Sequence, residues 1–276
     1  MRVGVLGPVG SFSHVAALRA VHADEFVLFD SFSSVFEGVS KGEVEVGVVP
    51  MENSLEGAVG ETLDCLLSAD VYIVHELVLE IRHNLLSLSP STERIERVLS
   101  HPQALAQCRS FLKKLKGVEQ VATSSTSEAA RLATLDVCTA AIASYEAATQ
   151  YGLNVLMENI QDMESHTRFV SISKEPLKAV RAPSKTSIAI LLKKDRPGAL
   201  YEILSEFATR GINLTRIESR TRRRMLGEYY FFIDLEGALG EDRIDGALCS
   251  IGERVDVLHI LGSYPAFKLD SKQQVP

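Results

Sequence analysis

Apolar residues recur with two different periods along the chain, and the period keeps switching. Val3, Val5 and Leu6 form a short strand that runs into Gly7-Pro8-Val9-Gly10, then Ser11-Phe12-Ser13-His14, where a helical pattern starts. Phe32, Val35, Phe36 and Val39 fall at i, i+3, i+4 and i+7, one face of a helix. Glu43-Val44-Glu45-Val46 alternates, and Gly47-Val48-Val49 runs apolar into Pro50 as a strand. Leu63, Leu66 and Leu67 mark the next helix, VYIVHELVLEI (71–81) a long strand and RVLS (97–100) a short one. Ser100-His101-Pro102 opens a helix, because Ser or His can cap and Pro suits the first turn. Ser125 and Glu128 have capping-box spacing ahead of AARLATL. TAAIAS (139–144) reads as a buried strand and SYEAATQYG as a short helix closed by Gly152. This rhythm predicts α/β architecture with mostly parallel sheets.

The rhythm breaks near residues 174–187, KEPLKAVRAPSKTS, a polar stretch with Pro176 and Pro183 and no period. Beyond it, TSIAILL (186–192) is a strand, and Leu200, Ile203, Leu204 and Phe207 make a helical stripe ended by Gly211. Strands follow around INLTRIESR and EYYFFIDLEG, then a helix over about 241–252 and a closing strand, VDVLHIL. The order is βαββαβ, a ferredoxin-like unit. With 276 residues, the chain therefore reads as a domain over 1–178 followed by a smaller one over 186–265.

Composition narrows the function. A net charge of −7 disfavours duplex binding, which needs a basic face. The run from Arg220 to Arg224, broken by Thr221, reads as a solvated hairpin edge. Cys65, Cys108, Cys138 and Cys249 form no CxxC pair, which suits a reducing cytoplasm over a disulfide framework or zinc site. The first residues read as a strand, not a signal peptide, and no run reaches the ~18 apolar residues of a membrane span. Gly38-Val39-Ser40-Lys41-Gly42 matches GxSxG, but a helix precedes it and a strand follows, the reverse of a nucleophile elbow. Gly4, Gly7 and Gly10 do not make GxGxxG, no GK[ST] occurs, and the seven histidines show no metal-ligand spacing.

Four segments place polar groups at strand ends or helix starts, where open α/β folds bind ligands. In the opening loop, Gly7 and Gly10 admit close backbone approach, and Ser11 and Ser13 sit at a helix start that favours anions. Glu52-Asn53-Ser54 follows a strand. Ser100 and His101 end another, with Gln103 and Gln107 four apart on one helix face. Thr167 and Arg168 open a strand that continues into Phe169 and Val170. Taken one at a time, each segment reads equally well as local structure: a tight turn, a capped loop, a solvated face, a strand with a surface Arg.

Together, GPVGSFSH (7–14), VPMENSLEGAVGETLDCL (49–66), SHPQALAQC (100–108) and HTRF (166–169) resemble bacterial- or archaeal-type prephenate dehydratases, and the resemblance runs over nearly the whole chain. GALYEIL (198–204), INLTRIESR (212–220) and GEYYFFIDLEG (227–237) resemble an ACT regulatory module. The departures are Ser11 where the family has Thr, Ser165 where Asn is frequent, and Thr221 where Pro is usual. The resemblance implies two α/β lobes around a cleft, as in periplasmic binding proteins, here roughly 1–75 with 155–178, and 76–154. It implies conversion of prephenate to phenylpyruvate, water and CO2 without metal, cofactor or covalent intermediate. Thr167 then matches the catalytic hydroxyl, and Gly7, Ser11, Ser13, Asn53, Ser54, Ser100 and Gln107 match substrate-binding positions. Arg168 would pair with a substrate carboxylate or serve a buried ion pair. Gly198, Ala199, Leu200, Asn213, Leu214, Glu218, Ser219 and Arg220 would bind L-phenylalanine as feedback inhibitor, at an interface of a homodimer or homotetramer. An arogenate-preferring enzyme and a non-catalytic amino-acid-binding regulator are the other readings; the intact Thr167-Arg168-Phe169 disfavours the second.

Overall fold

The computed structural model describes residues 1–180, 182–193, 196–221 and 229–267. The proposed hairpin edge at 222–224 therefore lies outside the described residues. The first lobe runs β1 (Arg2–Leu6), α1 (Phe12–Ala20), β2 (Glu25–Phe29), α2 (Phe32–Lys41), β3 (Val46–Asn53), β4 (Gly57–Ala58), α3 (Gly60–Ser68) and β5 (Tyr72–Ile81). The chain crosses into the second lobe as β6 (Asn84–Ser87), β7 (Arg97–Ser100), α4 (Pro102–Gln107), α5 (Arg109–Leu112), β8 (Glu119–Ala122), α6 (Thr126–Ala133), β9 (Thr139–Ala143), α7 (Tyr145–Tyr151) and β10 (Asn154–Met157). It returns as β11 (Ser165–Ser173), then adds β12 (Ser184–Leu192), α8 (Ala199–Thr209), β13 (Leu214–Thr221), β14 (Tyr229–Glu236), α9 (Asp242–Gly252) and β15 (Val255–Pro265).

The three sheets are ordered β2-β1-β3-β11-β5, β10-β6-β9-β7-β8 and β13-β14-β12-β15. The expectation of mostly parallel sheets needs correction. β1 pairs in parallel with β2 and β3, and β7 with β8 and β9, but β11 is antiparallel to both β3 and β5, and β6 to both β9 and β10. The antiparallel strands are those flanking the two crossings between lobes, where the chain turns back. The crossings also fall later than residues 75 and 154. β5 stays in the first sheet to Ile81, and β10 pairs with β6 in the second. A continuous apolar run like 71–81 contains no signal for where a strand changes lobes.

Local signals explain the helix ends. Ser31 caps α2 by accepting from Ser34 N–H, and Gly42 closes it at φ 74°. The GxSxG match is thus a helix terminus. Ser125 caps α6 by accepting from the Glu128 N–H, and Gly152 closes α7 in the left-handed region.

One core joins the C-terminal domain to the first lobe. Val35, Phe36, Met51, Leu63 and Ile73 cluster with Ala189, Phe232, Leu261 and Tyr264. β12 is buried on both faces. Ile188 and Ile190 pack with Ile203, Phe207 and Ile251 beneath α8 and α9, while Ala189 faces the first lobe. Gly262 marks the closest approach, since a Cβ there would lie 2.2 Å from the Ile73 carbonyl oxygen. Gly262→Ala is expected to cost about 1–3 kcal/mol, the usual range for overpacking. A denaturant titration that leaves the midpoint unchanged would show that the domains do not depend on this contact.

Candidate active site

A cleft of about 460 Å³ opens between the two lobes. The first lobe supplies Gly7, Ser11, Phe12, Ser13, Asn53, Thr167 and Phe169, and the second supplies His101, Gln103, Gln107 and Ser124-Ser125-Thr126. Three of the four sequence segments therefore meet here through Asn53, Gln107 and Thr167, and the opening loop completes the wall.

The centre is a hydroxyl held by an amide. Asn53 ends β3 and Thr167 sits opposite it on β11. Asn53 Oδ1 accepts from the N–H groups of Leu55 and Glu56, at 2.9 and 3.1 Å. That fixes the amide, because an oxygen must face two donors. Nδ2 then donates to Thr167 Oγ1 at 2.8 Å and to Ser165 Oγ at 3.0 Å. Thr167 is thus the acceptor in this bond, and its own O–H proton remains available to the cleft. Ser165, where the family often has Asn, keeps an acceptor for the same amide and is buried.

The opening loop is shaped by contact with the second lobe. Val9 O accepts from Ser127 and Tyr151, and Gly10 O from Ser144, at 2.5, 3.3 and 2.8 Å. Gly10 has φ 81°, and a Cβ would lie 3.1 Å from Ala147 Cα, so glycine is required twice over. Ser11 serves as the cap of α1, accepting from His14 N–H and donating to Leu6 O, both at 3.2 Å. Its hydroxyl is committed to the backbone. What faces the cleft is the helix start: the Phe12 and Ser13 N–H groups have no carbonyl partner, as the first turn of a helix dictates.

His83, unmarked in the sequence reading, lies at the first crossing. It lines the cleft and is 3% exposed. Its Nε2 lies 3.1 Å from Gln107 Oε1, and the Phe12 ring packs edge-on against it at 5.5 Å. Burial pushes its pKa down, so the ring is neutral at pH 7. A lone His inside RHNLL gives no local signal, because only the crossing brings it to Gln107. Beside Gln107, the buried Cys108 thiol is pushed up to about 12, chiefly by burial, which removes it as a thiolate nucleophile.

Other predicted residues lie elsewhere. Ser100 is fully buried and donates to Ile142 O at 2.6 Å, tying β7 to β9. Ser54 Oγ accepts from His166 N–H at 3.0 Å and so extends the β3–β11 ladder. Arg168 alternates with Thr167 on β11 and points to the opposite side. It pairs with Glu76 at 2.8 Å, Asp234 at 2.6 Å and Glu52 at 3.2 Å, so of the two roles considered it takes the buried ion pair. In the C-terminal domain, Gly198 caps α8 at φ 85°, with Ala199 and Leu200 in its first turn. Asn213 O accepts from Glu236 N–H, and Leu214, Glu218 and Ser219 lie on β13, an outer strand of its sheet. Arg220 instead grips Asp64 of α3 with two bonds, at 2.5 and 2.8 Å. That pair lies in the contact between the domains.

Among the described residues, no group of three or more His, Cys, Asp or Glu side chains is placed to hold a metal, and no helix is long and apolar enough to cross a membrane.

Residues 3–177 match the prephenate dehydratase family and residues 186–253 the ACT domain family. A protein named prephenate dehydratase from Methanocaldococcus jannaschii is 44% identical over 270 residues, covering 94% of this chain and 96% of its own. The structure of prephenate dehydratase in complex with L-Phe from Arthrobacter aurescens is 34% identical with a TM-score of 0.89, covering 96% of this chain and 90% of that one. A structure described as GqqA, a novel type of quorum quenching acylase, has a TM-score of 0.88 at 29% identity, covering 97% and 98%. With a family match spanning the cleft-forming lobes and a second running from β12 through α9, the chain belongs to the prephenate dehydratase family and carries an ACT domain.

Proposed function

We propose that this cleft converts prephenate to phenylpyruvate, water and CO2, with Thr167 donating a hydrogen bond to the departing ring hydroxyl. The observation that carries the reading is the fixed Asn53 amide, which leaves the Thr167 proton free at the cleft surface. In the reaction the bond from the ring to its carboxylate breaks and CO2 leaves. The electron pair enters the ring, the opposite C–O bond breaks, the oxygen leaves as hydroxide and takes a proton from solvent to become water, and the ring becomes aromatic. Charge grows on the leaving oxygen, and a preorganised donor there lowers the barrier. Donation from Asn53 polarises the Thr167 hydroxyl and strengthens it as a donor. The N–H groups of Phe12 and Ser13 and the Gln107 amide suit the two carboxylates.

The same geometry argues against acyl transfer. Among the described residues, no Ser, Thr or Cys lining the cleft hydrogen-bonds a histidine ring, so the nucleophile–base pair such chemistry uses is missing. Feedback inhibition by L-phenylalanine belongs to this reading, supported by the ACT domain and by the L-Phe complex of the A. aurescens protein. Pairing of ACT domains in a homodimer or homotetramer is supported by β13, an outer strand whose Ile217 is 46% exposed. A cytoplasmic location suits the substrate and four cysteines that make no CxxC pair.

The test is phenylpyruvate formation from prephenate by the purified protein, with and without L-phenylalanine, beside the same assay on arogenate. Turnover on prephenate that L-phenylalanine depresses is the expected result. Faster turnover of arogenate would reassign the substrate, and inertness to both would remove the enzymatic reading.

A further inference from the structure

We propose that His83 is a positioning residue that aims the Gln107 amide at a carboxylate of the bound substrate. The inference rests on this cleft being the substrate site. Gln107 presents its carbonyl oxygen to the His83 ring, 3.1 Å from Nε2. An oxygen can only accept, so the imidazole donates from Nε2 and is the Nε2–H tautomer. The Gln107 Nε2 group is then turned away from His83. It is buried and has no hydrogen-bond partner in the protein, and Gln107 lines the cleft. A buried amide without an acceptor is costly, and a substrate carboxylate oxygen is the acceptor an anionic ligand would bring.

His83 is itself rigidly placed. Its N–H donates to Gln161 Oε1 at 3.0 Å and its carbonyl accepts from Ile160 N–H at 2.9 Å. Both partners belong to the second crossing between lobes. Phe12, from the first turn of α1, packs edge-on against the ring. The ring therefore links three things: the crossing, the helix start that faces the cleft, and the amide of α4. Without the Nε2 donor, Gln107 could rotate about its side-chain torsions, and its amide would lose its fixed direction.

The experiment is a double-mutant cycle on prephenate turnover by the full-length protein: wild type, His83→Leu, Gln107→Leu and the double variant. His83→Gln is added because its amide N–H lies near the position of Nε2. His83→Leu is expected to raise KM about tenfold, the worth of one fixed hydrogen bond to an anion, with kcat within about twofold. Gln107→Leu should raise KM at least as much. The double variant should be no worse than Gln107→Leu alone, since His83 acts through Gln107. His83→Gln should stay within about threefold of wild type. Additive losses in the double variant, or a His83→Gln as impaired as His83→Leu while folded by circular dichroism, overturn the inference and leave the cleft assignment standing. Should His83→Leu fail to fold, His83→Asn replaces it, because its shorter amide cannot reach Gln107. Equal KM values for the Gln and Asn variants then overturn the inference. A Gln107→Leu enzyme with unchanged KM would remove Gln107 from the substrate site and the inference with it.

Discussion

Thr167→Val is expected to lower kcat by about 10²–10³-fold with KM nearly unchanged, the loss seen when one donor to a developing oxyanion is removed. Valine keeps the β-branched shape that suits a strand, so β11 and its pairing with β3 should survive. What disappears is the proton aimed at the leaving oxygen. The Asn53 amide keeps Ser165 as an acceptor, so the substitution strands only one N–H. Thr167→Ser retains the hydroxyl and should hold kcat within about tenfold, the remaining loss coming from a freer rotor. Steady-state kinetics on prephenate, with circular dichroism to confirm folding, separates the outcomes. A Val variant that keeps kcat within about threefold would mean that another group serves the leaving oxygen, and the roles of Asn53 and Thr167 would have to be redrawn.

The sequence makes some parts of this arrangement readable and hides others, for physical reasons. Helix α2 announces itself by its apolar stripe, and α6 and α7 by local ends: Ser125 and Ser144 each accept from an N–H three residues ahead, and Gly152 closes α7. The βαββαβ order of the C-terminal domain is equally local. Strands β2, β8 and β10 escape the reading because they are short, and β2 and β8 sit at sheet edges half exposed, where alternation is weak. In the site, Asn53, Gln107 and Thr167 came from the family resemblance and converge on one cleft. Ser100, Ser54 and Arg168 belong to the same motifs, yet they hold the strands that carry the cleft residues. A motif records both kinds of residue alike, and only the direction of each side chain separates them. His83 shows the opposite failure. It matters because two chain crossings meet there, and sequence separations of 24 residues to Gln107 and 78 to Gln161 leave no pattern.

Asp234→Ala is expected to destabilise the protein by about 3–5 kcal/mol, because it leaves an uncompensated charge in a buried cluster. Three cations, Arg168, Lys185 and Arg216, face three carboxylates, Glu52, Glu76 and Asp234, so the cluster is neutral as built. Asp234 is 1% exposed, accepts from Ser187 and pairs with Arg168, which also donates to Tyr264 at 2.7 Å. Burial pushes the Asp234 carboxyl up, but Arg168 and Ser187 outweigh it and hold it below the ordinary aspartate value. A depressed carboxyl pKa adds stability that is complete above about pH 3.9, the unfolded value, and is lost as pH falls through the folded value. Asp234→Asn should therefore lose stability at pH 7 and show a weaker acid dependence below pH 4 than wild type. Arg220→Ala provides the contrast. Its pair with Asp64 also joins the domains, but the Arg220 side chain is 32% exposed, and a partly solvated pair is worth only about 0–1 kcal/mol. Arg168 follows Thr167 on β11, and Glu52 precedes Asn53 on β3. The strands that display the Thr167 hydroxyl and the Asn53 amide are thus the ones anchored to the ACT domain by their other face. Loss of Asp234 should consequently depress kcat as well as the denaturation midpoint, whereas loss of Arg220 should leave both near wild type. Equal, small effects from the two substitutions would show that apolar packing around Phe232, Leu261 and Tyr264 alone holds the ACT domain against the dehydratase lobes.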